Sequence, residues 1–227
     1  MTAPDWDAIR LVVFDVDGTL YDQRPLRRRM AFELACDALI HRRTTTLHVL
    51  SRYRALREEW AERDTADLET ELRSAVAKAT ALTPDRVGAL VSTWIEERPL
   101  RHLQRCRFAG IDALFAAIRR SGRAIAVHSD YPVAAKLAAM GLEADHNASA
   151  GNPAEVRLKP HPSGLLHLMA LAGAAPHQTL MVGDRQERDG LAAQRAGTAC
   201  LIKSRLPVTG VATFRDYDDA VFTPLRG

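Results

Sequence analysis

One stretch constrains this chain more than any other: Leu11-Val12-Val13-Phe14-Asp15-Val16-Asp17-Gly18-Thr19-Leu20-Tyr21. A short apolar, β-branched run stops abruptly in two carboxylates, a glycine and a threonine. Such a run, closed by turn residues, predicts a buried strand. Ligands of an open parallel α/β sheet bind at the carboxyl ends of its strands. Asp15 and Asp17 fall at that end, and two residues apart they share a face of the pleat. Gly18 supplies the backbone freedom for a sharp turn away. Burying unpaired charge costs several kcal/mol, so paired carboxylates at a strand end point to chemistry more than to packing. The competing reading of Asp-x-Asp-Gly taken alone is an ordinary turn with a capping aspartate.

The rest of the chain divides by pattern. Residues 1–9 lead into the first strand. Over residues 21–99 no strand-like run occurs and apolar residues recur at helical spacing in four stripes: Leu26, Met30, Leu34, Ala38; Leu47, Leu50, Tyr53, Leu56, Trp60; Leu68, Leu72, Val76, Ala79; and Val87, Leu90, Val91, Trp94, Ile95. Thr83-Pro84 opens the fourth, with threonine as N-cap and proline at the first helical position. Four amphipathic helices in succession predict a small bundle. Beyond Pro99 helices and strands alternate. Strands are expected over residues 124–128, 145–150, 179–182 and 198–202. Helices are expected near residues 111–118, 132–140, 165–171 and 191–196, with Gly122, Gly141, Gly173 and Gly197 as stops. This alternation predicts an α/β fold, a Rossmann-like parallel sheet with helices on both faces. The expected division is a discontinuous core, residues 1–21 and 100–227, carrying an inserted all-helical domain, residues 22–99. The tail from Lys203 onward carries little pattern.

Composition excludes several classes. The 227 residues are 47% hydrophobic and 26% charged, as in ordinary globular proteins. A net charge of +3 is too small to argue for nucleic acid. No run reaches the roughly 18 apolar residues of a membrane helix. The first seven residues are acidic and lack the apolar core of a signal peptide. Cys36, Cys106 and Cys200 are odd in number and far apart, which predicts reduced, packed thiols and a cytoplasmic protein. Oligomeric state is not legible.

Three strand ends converge on one place: Asp15 with Asp17, Ser129, and Asp184. Lys159 joins them from the loop Leu158-Lys159-Pro160-His161-Pro162. In order, Asp15-Val16-Asp17-Gly18-Thr19, Ser129, Lys159 and Gly183-Asp184-Arg185-Gln186-Glu187-Arg188-Asp189 resemble the four motifs of the haloacid dehalogenase superfamily in its phosphatase form. The helical insert after the first motif resembles that family's C1 cap. The resemblance implies Asp15 as a nucleophile that forms an aspartyl-phosphate, and Asp17 as the acid that protonates the leaving oxygen and then activates water. It implies that Ser129, Lys159 and the backbone around Asp17 and Gly18 bind the phosphoryl group. Hard oxygen ligands beside phosphate further imply Mg²⁺, held by Asp15, Asp184, the Asp17 carbonyl and, through water or by orienting a ligand, Asp189. Asp189 is also placed to cap the helix that follows.

One departure stands out within the motifs. Asp130 follows Ser129 where the family often has asparagine, and it is expected to cap the helix starting near Pro132. His128 and His161 flank motif residues and are expected to pack or hydrogen-bond. Arg24, Arg27, Arg28 and Arg29 are expected to form a solvated helix face.

The activity implied is a Mg²⁺-dependent phosphatase of a small phosphorylated metabolite. A dehalogenase of this family lacks the second carboxylate that Asp17 supplies. A phosphonate hydrolase needs a cap lysine, and the only lysine of the insert is Lys78, in the third helix. A sugar phosphomutase shares every core residue. A catalytically idle phosphate-ligand-binding protein on the same scaffold is the reading from outside enzymology.

Overall fold

The computed structural model describes residues 4–42, 44–61, 63 and 67–226. The first three residues of the predicted lead-in, and Gly227 of the tail, lie outside them. The chain divides into two compact units, residues 1–22 with 107–227, and residues 23–106.

The first unit is built on a six-stranded parallel sheet. Its strands are β1 Leu11–Phe14, β2 Ala124–Ser129, β3 His146–Ser149, β4 Thr179–Gly183, β5 Ala199–Lys203 and β6 Ala212–Phe214. Their spatial order is β3-β2-β1-β4-β5-β6. The order reverses at β1, so the crevice expected of an open parallel sheet opens between β1 and β4. Phe14 stands opposite Val127 of β2 and Val182 of β4, which sets the residues after Phe14 beside the ends of both neighbours.

The continuous apolar run of β1 follows from cover on both faces. Leu11 and Val13 join Ala126, Met181 and the helices Ser163–Ala172 and Leu191–Ala196 in one buried cluster. On the opposite face Phe14 meets Phe115 of the helix Ile111–Arg120, ring centroids 4.9 Å apart. Gly141, Gly173 and Gly197 each end a helix in the left-handed conformation, the role in which glycine escapes the side-chain penalty.

The tail is more ordered than its sequence pattern indicates. It forms β6 and the short 3₁₀ helix Ala220–Leu225. Phe214, Tyr217 and Phe222 are buried there, with Trp6 6.1 Å from Phe222 between ring centroids. Tyr217 donates its hydroxyl to the carbonyl of Thr19 at 2.5 Å, tying the tail to the turn after β1.

The second unit contains the helices α1 Gln23–His41, α2 Thr45–Glu59, α3 Leu68–Thr80, α4 Pro84–Val91 and α5 Leu100–Cys106, with a π-helical stretch, Ser92–Glu97, between the last two. The four apolar stripes fall on α1 to α4 and the π-helical stretch, except Trp60, which directly follows α2. Thr83 caps α4 by accepting the N–H of Arg86, and Pro84 stands at its start. The unit runs past residue 99, where the sequence pattern ends the insert, because α5 follows Pro99 directly. Proline is tolerated at a helix entry, where its missing N–H has no partner to lose, so Pro99 introduces a helix here. Tyr53 and Arg57 of α2 bond Glu69 and tie α2 to α3, and Arg73 bonds the same carboxylate from within α3. Arg24, Arg27, Arg28 and Arg29 are exposed on α1, and Lys78 is exposed on α3.

Among the described residues no helix is long and apolar enough to cross a membrane. Cys106 is buried, Cys36 and Cys200 are half-buried, and none of the three forms a disulfide among the described residues.

Candidate active site

β1 delivers Asp15 to the carboxyl edge of the sheet, where its N–H still bonds Val182 of β4 at 2.8 Å. The chain then turns through Gly18 at φ 103°, a backbone that only glycine adopts without strain. This turn brings Thr19 back over the strand end. Thr19 is fully buried and donates its hydroxyl to Asp15 Oδ2 at 2.9 Å. The other oxygen, Oδ1, lies 2.5 Å from Lys159 Nζ. Lys159 also reaches Asp189 Oδ1 at 2.6 Å. Asp15 is 5% exposed, Lys159 2% and Asp189 1%, so these ion pairs are dry.

Asp184 follows β4 and completes an acidic cluster. One carboxylate oxygen from each of Asp15, Asp184 and Asp189 lies within 4.8 Å of the others. Asp189 does not cap the helix Leu191–Ala196, whose first turn takes no side-chain cap. Its Oδ2 instead accepts the N–H groups of Asp184 and Arg185 at 3.1 and 3.0 Å. The π-helical turn Gln186–Gly190 folds that carboxylate back over the strand end. Gly183 makes room for it, since a Cβ there would lie 2.3 Å from Asp189 Cγ.

The electrostatics follow from burial and crowding. Burial pushes the Asp15 carboxyl well above its ordinary range, Lys159 pulls it down, and Asp189 and Asp184 push it further up. Burial and then Asp189 raise Asp184 to about 7. Burial works against the Lys159 ammonium, but Asp15, Asp189 and Asp130 outweigh it and hold the lysine charged. Asp184 Oδ1 is buried with no hydrogen-bond partner. An orphaned carboxylate oxygen among three crowded acids is a donor set that suits a hard divalent cation.

Asp17 leaves this cluster. Its carboxylate faces Lys136, whose Nζ lies 2.7 and 2.6 Å from the two oxygens, and it accepts the hydroxyl of Tyr21. Burial raises the Asp17 carboxyl, yet Lys136 and Tyr21 outweigh it and hold it below the ordinary range. Ser129 ends β2 fully buried, its Oγ accepting the N–H of Tyr131 at 3.2 Å.

Asp130 does not cap the helix that follows. That helix, Ala134–Met140, begins at Val133 with no side-chain cap. Asp130 Oδ1 accepts the N–H of Lys159 at 2.9 Å, and Oδ2 pairs with Arg188 at 2.9 Å. Burial is again outweighed, by Lys159 and Arg188, so Asp130 stays ionised below the ordinary range. His128 is fully buried under Gly164, and burial and then Lys159 lower it to about 3. His161 accepts the N–H of Ser163.

Thr19, Tyr21, Lys136 and Arg188 were not singled out by sequence reasoning. Thr19 could have been found, because it stands inside the first motif. Lys136 meets Asp17 from 119 residues away and leaves no local trace.

A family model described as haloacid dehalogenase-like hydrolase matches residues 9–197. The phosphoglycolate phosphatase of Yersinia pestis is 29% identical over 228 residues, covering 95% of this chain and 86% of that protein. Among solved structures, a 2-haloacid dehalogenase from Pseudomonas syringae pv. Tomato DC3000 aligns with TM-score 0.65 at 18% identity, covering 92% of this chain and 95% of that one. An HAD phosphatase from Thermococcus onnurineus aligns with TM-score 0.60 at 19% identity, covering 92% and 95%. At these identities the structural likenesses speak for the fold.

Proposed function

This chain belongs to the haloacid dehalogenase-like hydrolase family, and from that premise we propose that it hydrolyses phosphoric monoesters of small metabolites, with Asp15 as nucleophile. The observation that carries the reading is the buried Asp15 carboxylate at the β1 end, held by Lys159 and Thr19 beside Asp184 and Asp189.

Phosphoryl transfer spreads charge over three oxygens, so positioning and neutralisation dominate. An Asp15 oxygen attacks phosphorus; the new O–P bond forms as the ester P–O bond breaks. Asp17, ionised beside Lys136 in the free protein, takes up the proton that a phosphomonoester monoanion brings, delivers it to the departing oxygen, then takes one from the water that attacks the aspartyl-phosphate. That second attack releases phosphate and restores the Asp15 carboxylate. Lys159 offsets charge on Asp15 and on the phosphoryl group. Ser129 Oγ and the N–H of Gly18 are the donors proposed for its oxygens. Asp15, Asp184 and the Asp17 carbonyl, with Asp189 orienting them, would hold Mg²⁺, which when bound offsets the negative charge that phosphate brings to these carboxylates. The helical unit, residues 23–106, is on this reading the family's substrate-selecting cap.

The relative's name makes phosphoglycolate the first ester to try. The test is phosphate release from a panel of phosphomonoesters with no acceptor sugar present. Wild type should turn over at least one of them, while Asp15→Asn should lose at least about 10³-fold of that rate with its melting temperature nearly unchanged. Substantial phosphate release by the variant would refute the nucleophile. Transfer to a sugar hydroxyl with no free phosphate would make the protein a mutase, and binding without turnover a binding module.

A further inference from the structure

The two carboxylates of the first motif have separate cationic partners. Asp15 shares Lys159 with Asp189, whereas Asp17 faces Lys136. Lysine is seldom buried, and burying one costs several kcal/mol unless it is paired. Lys136 is 8% exposed, on the helix Ala134–Met140, and its ammonium spans both Asp17 oxygens. The ring of Tyr131 lies 5.3 Å from the same nitrogen. Tyr21 approaches Asp17 from another direction and is itself fixed. It is 4% exposed and makes backbone bridges with Asp17 and with Arg107, while the neighbouring carbonyl of Leu20 accepts the N–H of Phe108 at 3.2 Å.

A carboxylate contacted through both oxygens by an ammonium, and through one by a phenol on a pinned backbone, has a determined direction. We infer that Lys136, with Tyr21, is a positioning residue that aims the Asp17 carboxylate for its proton transfers. The inference rests on the phosphatase reading for what Asp17 does, and on this geometry for what aims it. General acid–base groups contribute roughly 10²–10⁴-fold, and a misdirected one forfeits part of that. Lys136 touches no reacting atom in this scheme, so its removal should act on turnover and leave substrate affinity alone.

The experiment compares Lys136→Met and Lys136→Arg with wild type on one phosphomonoester, with melting temperatures and a crystal structure of Lys136→Met. Lys136→Met should lower kcat by about 10- to 100-fold with KM within about twofold, and should lower the melting temperature by several degrees because Asp17 loses its partner, whereas Lys136→Arg should melt near wild type. Lys136→Arg should restore most of kcat, because a cation again faces both oxygens. The crystal structure should show the Asp17 side chain turned from its present direction. Unchanged kcat, equal losses in both variants accompanied by lower melting temperatures, or an unmoved Asp17 side chain would each overturn the inference. A wild type that releases no phosphate from any ester would sink the functional reading instead. The Asp17 direction in the crystal would still decide the positioning role.

Discussion

Arg188→Met tests the brace beneath the candidate site. Arg188 and Asp130 are 9% and 18% exposed at their side chains, with nitrogen and oxygen 2.9 Å apart. Removing one partner of a buried pair costs about 3–5 kcal/mol, because the other charge is left uncompensated. Here the cost is reduced, since Asp130 keeps the N–H of Lys159 and the nearby Lys159 charge. That places the loss at about 2–3 kcal/mol, in line with the ~1.5–3 kcal/mol of a hydrogen bond to a charged group. For a chain of this size, each kcal/mol shifts the melting temperature by about 2–4 °C, so calorimetry should show a fall of about 4–12 °C.

The sign with pH is fixed by the same pair. Asp130 has a folded-state pKa lowered from 3.8, so its stabilisation is full above that value and is lost as pH falls through the lowered one. The deficit of Arg188→Met should be complete at pH 7 and close below about pH 4. Adding Asp130→Asn removes the stranded charge while the amide oxygen still accepts the Lys159 N–H. The double variant should therefore regain at least about 1 kcal/mol. A double variant that melts below the single one, or a single variant indistinguishable from wild type, would refute the brace.

Metal removal and one glycine give further tests. Dialysis against EDTA should abolish phosphate release and Mg²⁺ should restore it; Ca²⁺ should inhibit, because it takes more ligands at longer distances. Full activity of a stripped sample would remove Asp184 and Asp189 from metal binding. Gly183→Ala puts a Cβ 2.3 Å from Asp189 Cγ, so it should displace that carboxylate and cost at least about tenfold in kcat, while wild-type kcat would contradict the close packing.

Much of the fold was legible because it rests on local pattern. β1, β2, β4 and β5 are apolar runs closed by turn residues, and the helices between them end at glycines that the backbone uses in the left-handed conformation. What escaped was short or depended on distant partners. β6 is three residues long, too few to show a period. Helix α5 was hidden by Pro99, which a sequence presents equally well as a stop or as an entry. At the site, the strand-end carboxylates announced themselves, since charge directly after a buried run has few structural uses. The partner of Asp130 did not. Its neighbour Pro132 suggested a capping role, but the helix starts later, and the carboxylate turns to Lys159 and Arg188 on other elements. Lys136 lies on a helix whose own pattern is ordinary, and only the sheet order brings it to Asp17.

The separate partners of Asp15 and Asp17 also bear on the charge the site must receive. Lys136 neutralises Asp17, so that pair drops out of the balance. What is left around the β1 and β4 ends is three carboxylates, Asp15, Asp184 and Asp189, of which Asp15 and Asp189 contact one ammonium, Lys159. In the ionised form that a bound cation requires, three negative charges and one positive charge sum to −2; without a cation, burial and crowding push Asp15 and Asp184 toward protonation instead. Two buried, uncompensated negative charges would repel a phosphate dianion strongly at low dielectric. A monovalent ion would leave the cluster negative, and a divalent one brings it to zero, so the balance favours a divalent ion over a monovalent one. It also explains why a second lysine belongs to Asp17. Were Asp17 to draw on Lys159 instead, that one ammonium would be divided among three carboxylates, and the contact that orients the attacking oxygen of Asp15 would be weakened.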